Sequence, residues 1–402
     1  MEKIWINIPD VLFFQEGPGV RNTQYTTEGV KLLNVANLVD GKVDLSKSDR
    51  YISEDEAYGK YKHFLCDAGD FVIASSGIKV EYIDKKMGFV DESMLPLCMN
   101  TSTIRFKVLD DNKLRIRYFM YYLKSQHFKD QLFKQITGSA QLNYGPSHLK
   151  KMIMPLISLS KQDEIIACMD KVQSVIEMRR QELVKLDDLI KARFVELFGN
   201  PIKNEKHWET FKLGECLKRI DNGKSFTCDV QARTGECPAI LKLSAVTYGD
   251  YRPEENKALL DEKQFVESTE VHSGDLLFTR KNTPELVGMA AYVYNTPNHL
   301  MMPDLIFRLV PNERMTAIFL WQLINNREFR PVIQSIAGGS AKSMSNISKE
   351  RLNNISVICP PINEQIRLNE MINQVNKSKV EVQKALDETQ KLFDSLMQQY
   401  FG

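Results

Sequence analysis

The chain has 402 residues, with 53 Lys and Arg against 52 Asp and Glu, and 43% of its residues are hydrophobic. This length and apolar content suffice for one large or two ordinary globular domains, and they exclude a disordered chain or a low-complexity fibre. No apolar run reaches the roughly 18 residues of a membrane span, and the N-terminus does not follow the plan of a signal peptide. The net charge of +1, taken alone, argues against a protein that coats nucleic acid.

The first predicted element is a domain over residues 1–155. Short alternating apolar runs are broken by Gly, Asn and Asp, and a helical patch covers 116–136. This mixture predicts an α+β domain with several short strands. Gly69-Asp70 leads into an apolar run, and Pro155 marks the turn that ends the domain.

A long helix is predicted next, over 162–198 within the segment 156–200. No Pro or Gly interrupts it, and its apolar residues alternate steps of four and three over about five heptads, which is typical of a coiled coil. The residues of this predicted seam are Ile165, Met169, Val172, Ile176, Leu183, Leu186, Ile190 and Leu197.

The same order of elements then recurs. A second domain is predicted over 201–360, with a helical patch at 317–336, and a second long helix over 364–400 within 361–402. Anchor residues repeat at offsets between 201 and 205: Gly138-Ser139-Ala140 with Gly339-Ser340-Ala341, Gly69-Asp70 with Gly274-Asp275, and Gln162 with Gln365. The second seam comprises Leu368, Ile372, Val375, Val382, Leu386, Phe393 and Leu396. We therefore predict a tandem duplication.

Two arrangements of the long helices are possible. Each helix could pack on its own domain, or the two could pack on one another. We favour the second, because so long a seam exceeds what one small domain covers. Connectivity then favours an antiparallel coiled coil, with two similar domains at opposite ends of a spacer and a pseudo-two-fold axis between them.

The sequence lacks the motifs of catalysis and of metal binding. It has neither the Asn/Asp-Pro-Pro-aromatic element of an adenine methyltransferase nor a Gly-x-Ser-x-Gly element. Gly223-Lys224-Ser225 is no phosphate loop, because Lys218 stands where the first glycine is required. The histidines form no metal-ligand pair, and the seven scattered cysteines, none spaced as Cys-x-x-Cys, predict reduced, buried thiols in a cytoplasmic protein. We expect no catalytic residue and no metal.

The charge balance becomes informative when the chain is divided. Residues 1–161 hold 22 basic and 19 acidic side chains, residues 199–363 hold 20 and 19, and the two helices together hold 11 and 14. The domains thus carry the positive charge that approaches phosphates. Loops at matching places in both halves join basic, amide and hydroxyl side chains, the types that contact DNA. The DNA-binding candidates are Ser75, Ser76, Lys79, Arg105, Gln141, Asn143 and Tyr144 in the first half and Arg280, Lys281, Asn282, Lys342, Ser343, Ser345 and Asn346 in the second.

The chain resembles the specificity (S) subunits of type I restriction-modification systems over essentially its whole length. The resemblance lies in residues 138–165 and 339–366, each followed by a long helix, and in the helix ends at 186–201 and Tyr400-Phe401-Gly402. The family's Pro-Leu-Pro-x-Leu-x-Glu-Gln turn is altered in both copies, which read PLISLSKQ and CPPINEQ.

The resemblance implies a non-catalytic subunit that recognises double-stranded DNA through two target recognition domains. Each domain would read one half of an asymmetric bipartite site, and the helices would set the spacing. It also implies two methyltransferase (M) subunits, and restriction (R) subunits where present, as partners. These partners would carry S-adenosylmethionine and ATP, and this chain would hold no cofactor. Two other functions remain open: the recognition part of a methyltransferase or nuclease, and a coiled-coil adaptor without specific DNA readout.

Overall fold

A computed structural model of the chain describes residues 3–135, 144–338 and 344–402. The chain forms two compact units, Met1–Arg180 with Lys384–Gly402, and Gln181–Gln383. Each unit contains a mixed α/β domain and part of each of the two long helices. The fold class predicted from the short alternating runs is therefore correct at this level.

The first unit contains short strands and helices followed by the first long helix. Its strands are β1 (Ile4–Asn7), β2 (Leu12–Glu16), β3 (Val30–Leu33), β4 (Leu38–Val39), β5 (Lys42–Val43), β6 (Tyr51–Ile52), β7 (Phe71–Ala74), β8 (Met87–Phe89), β9 (Leu97–Met99), β10 (Thr103–Val108) and β11 (Ile153–Leu156). Its helices are α1 (Glu54–Tyr58), α2 (Ile116–Lys124), α3 (Gln126–Gln135), α4 (Pro146–Leu149) and α5 (Leu159–Phe198), of which α5 continues into the second unit.

Two sheets form the body of the first unit. One is antiparallel, in the order β2-β10-β7-β8, and the other has the order β6-β3-β9 with β3 and β9 parallel. Helix α2 contributes Phe119 and Tyr122 to the core that also holds Phe71 and Phe106 of the first sheet. Burying side chains of this size stabilises the fold by about 1.5–3 kcal/mol each.

The second unit repeats this plan. Its strands are β12 (Thr210–Lys212), β13 (Leu217–Asn222), β14 (Ala239–Leu241), β15 (Asn256–Ala258), β16 (Leu276–Thr279), β17 (Lys281–Asn282), β18 (Ala290–Tyr292), β19 (Leu300–Met301), β20 (Ile306–Pro311), β21 (Ser345–Asn346) and β22 (Ser356–Ile358). Its helices are α6 (Ser244–Thr247), α7 (Ala317–Asn325), α8 (Arg330–Ser335), α9 (Lys349–Asn353) and α10 (Ile362–Phe401), of which α10 ends in the first unit. Its sheets have the orders β13-β20-β16-β18 and β15-β14-β19, again with one parallel pair, β14 and β19.

Each predicted helical patch consists of two helices. In the first unit the break falls at the buried Ser125, whose hydroxyl accepts a hydrogen bond from the Phe128 amide at 3.2 Å and caps α3. In the second unit it falls after Asn325, where α7 ends, and the Oδ1 atom of the next residue, Asn326, accepts a hydrogen bond from the Glu328 amide at 2.9 Å. Serine and asparagine satisfy the unpaired amides at helix ends, so a patch that looks continuous in hydrophobicity is divided there.

Within the first unit, the beginning of α5 and the end of α10 share one hydrophobic core. Ile165 and Met169 are buried in it together with Met397 and Phe401. The ring of Phe401 lies 5.2 Å from that of Tyr118 on α2. The last turns of the chain thus contribute to the core of the N-terminal domain.

Within the second unit, the end of α5 and the beginning of α10 share a core in the same way. Phe194 and Phe198 are buried with Leu368 and Ile372. An ion pair also connects the two helices, since Lys379 Nζ on α10 lies 2.7 Å from Asp187 Oδ1 on α5.

Helix α5 ends at a glycine. Gly199 has a φ of +75°, the left-handed conformation that glycine adopts at helix ends.

Every predicted seam residue is buried or partly buried. Near the C-terminal end of each long helix, the most buried residue lies one position after the predicted seam residue. Phe198 is more buried than Leu197, and Met397 is more buried than Leu396. A straight α-helix drifts by about 20° per heptad, which over five heptads amounts to roughly 100°, or one residue.

The cysteines are free, as predicted, but they are not uniformly buried. Cys66, Cys98 and Cys216 are buried, whereas Cys237 is exposed. The prediction of a buried thiol is therefore wrong for Cys237, which lies between β13 and β14 outside any strand or helix.

Candidate nucleic-acid interface

In both units a fully buried strand leads into the first predicted DNA-binding loop. These strands, β7 and β16, follow Gly69-Asp70 and Gly274-Asp275. Both glycines have a positive φ, +87° and +95°, which other residues adopt only with strain. The carboxylates of Asp70 and Asp275 each accept a hydrogen bond at 2.9 Å from the backbone amide three residues earlier. The repeated Gly-Asp pair therefore forms the same turn twice.

A buried arginine from the neighbouring strand pairs with each of these aspartates. Arg105 on β10 lies 3.3 Å from Asp70, and Arg308 on β20 lies 3.0 Å from Asp275. Arg105 also donates hydrogen bonds to the carbonyls of Leu65 and His63. The structure thus places Arg105, a predicted DNA contact, inside the first unit, where it holds the turn before β7.

The two predicted loops of the first unit meet at the end of β7. The Tyr144 amide donates a hydrogen bond to the Ser75 carbonyl at 3.0 Å, and its hydroxyl donates to the Ala74 carbonyl at 2.8 Å. Burial raises the pKa of the Tyr144 phenol well above its usual value. Ser75 is also buried and donates to Glu16 at 3.2 Å. These two side chains hold the loops together rather than project from them.

The two predicted loops of the second unit pair directly as strands. In β17 and β21, Lys281 is opposite Asn346 and Asn282 is opposite Ser345. The Arg280 guanidinium donates to Asn346 Oδ1 at 3.3 Å and lies 4.9 Å from the centre of the Phe307 ring. Segments more than 60 residues apart in sequence thus form one surface.

The predicted DNA-binding residues differ in their solvent exposure. Asn282 is buried and donates to the Thr247 hydroxyl at 3.1 Å, so it too is an internal residue. Lys79 is exposed. The partly exposed candidates are Ser76, Arg280, Lys281, Ser345 and Asn346. Gln141, Asn143, Lys342 and Ser343 lie outside the described residues.

Sequence reasoning missed Tyr82, Lys85 and Lys86, which lie in the continuation of the same loop. The lysine doublet was the available signal. The doublet lies at the end of a 3-10 helix, Val80–Lys85, which is too short to produce an apolar periodicity in the sequence.

The ranges that the structure describes contain no group of three or more His, Cys, Asp or Glu side chains that could hold a metal ion. Among the helices in these ranges, none offers an apolar stretch of the length that a bilayer crossing needs.

Comparison with known proteins identifies the class of protein that this fold and this pair of loops define. The family model of the type I restriction modification DNA specificity domain matches the chain twice, over residues 26–187 and 205–390. The chain therefore belongs to the family of type I restriction-modification specificity subunits. The double match confirms that it contains the domain twice, and it agrees with the prediction of a non-catalytic subunit.

Curated relatives carry the same description. The chain is 28% identical over 228 residues to the Escherichia coli type I restriction enzyme EcoEI specificity subunit, and this alignment covers 55% of this chain and 38% of the relative. It is 24% identical over 186 residues to the MjaVIII specificity subunit of Methanocaldococcus jannaschii, covering 45% of this chain and 42% of the relative. The chain thus spans less than half the length of these two relatives.

Solved structures share the fold across nearly the whole chain. The type I restriction-modification S subunit from M. genitalium superposes with a TM-score of 0.53 at 15% identity, covering 98% of this chain and 95% of the other. A chain from a structure described as concerning complex assembly and conformational transition of the type I R-M system gives a TM-score of 0.56 at 16% identity, covering 99% and 97%.

Proposed function

We propose that this chain is the non-catalytic DNA-recognition subunit of a type I restriction-modification complex, with each domain reading one half of an asymmetric bipartite site. The observation that carries this proposal is the repeated joining of two loops at the end of equivalent buried strands, β7 and β16. Side chains that donate and accept hydrogen bonds collect there in both units, as base and phosphate recognition requires.

The two loop pairs occupy the same place in the fold but present different side chains. The first unit offers Ser76 and Lys79, and the second offers Arg280, Lys281 and Asn346. Arginine suits bidentate contact with guanine, whereas a serine hydroxyl contacts several bases. Different side chains at equivalent positions support two different half-sites, and hence an asymmetric target.

We propose that the long helices act as an antiparallel coiled-coil spacer. Supporting this, each unit contains the start of one helix packed with the end of the other, and all seam positions are at least partly buried. A helix of 40 residues is about 60 Å long, enough to separate half-sites one or more helical turns of DNA apart, each turn being roughly 34 Å.

We further propose that the outer surfaces of these helices dock the methyltransferase subunits. Large apolar side chains are exposed along both helices, among them Val184 at 60%, Leu189 at 49% and Val380 at 65%. Single exposed apolar residues are ordinary, but repetition along a helix fits a protein partner. Those partners would carry S-adenosylmethionine, and ATP where restriction subunits join, in a cytoplasmic assembly.

An exchange of domains tests the proposal. Residues 1–150 are replaced by the equivalent segment of another family member, the chimera is expressed with its methyltransferase subunits, and methylated adenines are mapped by sequencing. We expect one half of the methylated sequence to change and the other half to stay. A change in both halves would refute the assignment of one domain to one half-site, and an unchanged map would favour an adaptor without DNA readout.

A further inference from the structure

A groove of about 360 Å³ lies beside the first predicted loop of the N-terminal domain. On one side is the turn between β4 and β5 at Asp40, and on the other is the 3-10 helix Val80–Lys85. Ile78 is buried at its floor. Side chains of Lys79, Tyr82, Lys85 and Lys86 line it.

The backbone fixes both sides of this groove. The Gly41 amide donates a hydrogen bond to the Lys85 carbonyl at 3.2 Å, which joins the turn to the 3-10 helix. Gly88 on β8 lets β5 approach closely, since a Cβ there would lie 2.7 Å from the carbonyl carbon of Lys42. The groove is therefore a built feature of the fold and not the gap beside a loose loop.

The positive charge of the groove is not neutralised within the unit. In the part of the chain that the structure describes, no carboxylate forms an ion pair with Lys79, Lys85 or Lys86; the neighbouring Asp84 is instead paired with Lys129 at 3.5 Å. Asp40 is the acidic residue of the lining.

An aromatic ring stands among these lysines. Tyr82 is 50% exposed, and Lys85 Nζ lies 5.4 Å from the centre of its ring. The ring and its hydroxyl add a flat contact surface and a hydrogen-bond donor to the cationic groove. Charge, a donor and an apolar face together suit a sugar-phosphate backbone.

We propose that this groove binds the phosphodiester backbone of the DNA duplex next to the half-site recognised by the first unit. The inference rests on the proposed function and adds to it a surface that sets affinity without setting sequence. Gly77, Ile78 and Lys79 belong both to the groove and to the loop that continues from Ser75 and Ser76, so DNA held at the loop passes the groove. Ammonium groups without carboxylate partners gain most from phosphate contact, because binding releases the counterions of the DNA.

In the corresponding segment of the second unit, within the described residues, fewer cations are without a carboxylate partner. Lys281 lies 3.6 Å from Asp304, and Arg280 is held by Asn346 and the Phe307 ring. The two units therefore bind the phosphodiester backbone of the DNA with unequal strength, and the first unit contributes more of the salt-dependent affinity.

The test uses the complex of the full chain with its methyltransferase subunits. Binding of the double variant Lys85→Ala/Lys86→Ala, which leaves Lys79 of the recognition loop in place, to a duplex bearing the mapped target, and to an unrelated duplex, is measured over a series of salt concentrations. The slope of log affinity against log salt concentration decreases by about 0.9 for each phosphate that the protein no longer neutralises, so we expect a decrease of about 2. Affinity for both duplexes should fall by a similar factor, with the methylated sequence unchanged.

The double variant Lys60→Ala/Lys62→Ala is the matched control, since both lysines are exposed in the same unit and Lys60 also lies over a tyrosine ring, at 4.8 Å. It should keep the wild-type slope, and Lys85→Arg/Lys86→Arg should keep it as well. An unchanged slope in the groove variant, or an equal change in the control, overturns the inference. So does loss of methyltransferase subunits from the groove variant with an unchanged slope, which would make the groove a protein-binding surface. Neither result alters the methylation map, on which the proposed function itself depends.

Discussion

Gln162 and Gln365 make the same three hydrogen bonds at equivalent points of the two units. Both side chains are fully buried in the first turn of a long helix. The Gln162 Nε2 group donates to the carbonyls of Lys113 and Ile157, both at 2.9 Å, and its Oε1 accepts from the Arg115 amide at 2.8 Å. One side chain thus joins the start of α5 to the loop before α2.

The second unit repeats the arrangement with different neighbours. Gln365 Nε2 donates to the carbonyls of Arg314 at 2.9 Å and Pro360 at 2.8 Å, and its Oε1 accepts from the Thr316 amide at 2.8 Å. The contacts are all to backbone, so they persist although the surrounding side chains have diverged. A glutamine at this point fixes the direction in which each long helix leaves its domain.

Replacing either glutamine by leucine should destabilise its unit. Gln162→Leu or Gln365→Leu keeps the volume but leaves two carbonyls and one amide without partners. We expect a loss of about 2–4 kcal/mol in the free energy of unfolding, measured by urea denaturation. Gln374→Leu, on the exposed surface of α10, is the control and should change stability by less than about 0.5 kcal/mol. Equal effects of all three substitutions would argue against the buried hydrogen bonds as the cause.

Arg105→Ala should reduce stability and leave the methylated sequence unchanged. Asp70 is 3% exposed, and removal of Arg105 leaves its carboxylate buried with Lys107, at 3.3 Å, as its remaining ion-pair partner among the described residues. Breaking a buried ion pair in this way costs about 3–5 kcal/mol. Thermal unfolding and methylation mapping are the measurements, with the exposed Arg21→Ala as control. Normal stability with an altered half-site would restore Arg105 as a DNA-binding residue.

Lengthening both long helices by one heptad should lengthen the gap in the recognised sequence. Seven residues add about 10.5 Å of helix, which corresponds to about three base pairs. Methylation mapping should show both half-sites unchanged and the spacer between them longer. The same insertion in α5 alone shifts one seam against the other and should abolish methylation. An unchanged gap after the double insertion would contradict the spacer model.

Alkylation should distinguish the cysteines by their surroundings. Burial raises the pKa of the Cys66 and Cys98 thiols to about 12, so at pH 8 only about one in ten thousand of these groups is a thiolate. Raising the pH toward 12 would increase that fraction, but in the native chain the core still excludes the reagent. Cys237 is exposed and should react first with iodoacetamide, as followed by mass spectrometry of its peptides. Modification of Cys66 at the rate of Cys237 would show that the core of the first unit opens readily.

The tandem duplication and the long helices could be predicted because both produce a repeating pattern in the sequence, the first of anchor residues and the second of apolar residues. Helix α5 begins at Leu159, three residues before the predicted start, and α10 at Ile362, two residues before it. The first helical turn has unpaired amides and therefore tolerates Ser160 in α5, and Pro361 directly precedes the first residue of α10. The single-residue shift at Phe198 could not be predicted from a strict heptad, since it depends on how straight the helix is.

The positions of the loops of the candidate site could be predicted from the sequence, but the orientation of their individual side chains could not. The recurrence of the Gly-Asp pair and of the Gly-Ser-Ala segment located both loops in each half. It did not show that Ser75, Tyr144 and Asn282 face inward, because a polar residue in a loop has the same local signature whether it bonds to backbone or to a ligand.

By itself, the sequence determined what depends on neighbours in the chain: the duplication, the helical spans and the places where loops follow buried strands. Only the tertiary structure decided which loops meet and which side chains stay exposed. Lys281 pairs with Asn346 across more than 60 residues, and Lys85 is fixed by the Gly41 amide from a distant hairpin. Such contacts are set by burial and hydrogen bonding between segments whose proximity no local pattern records.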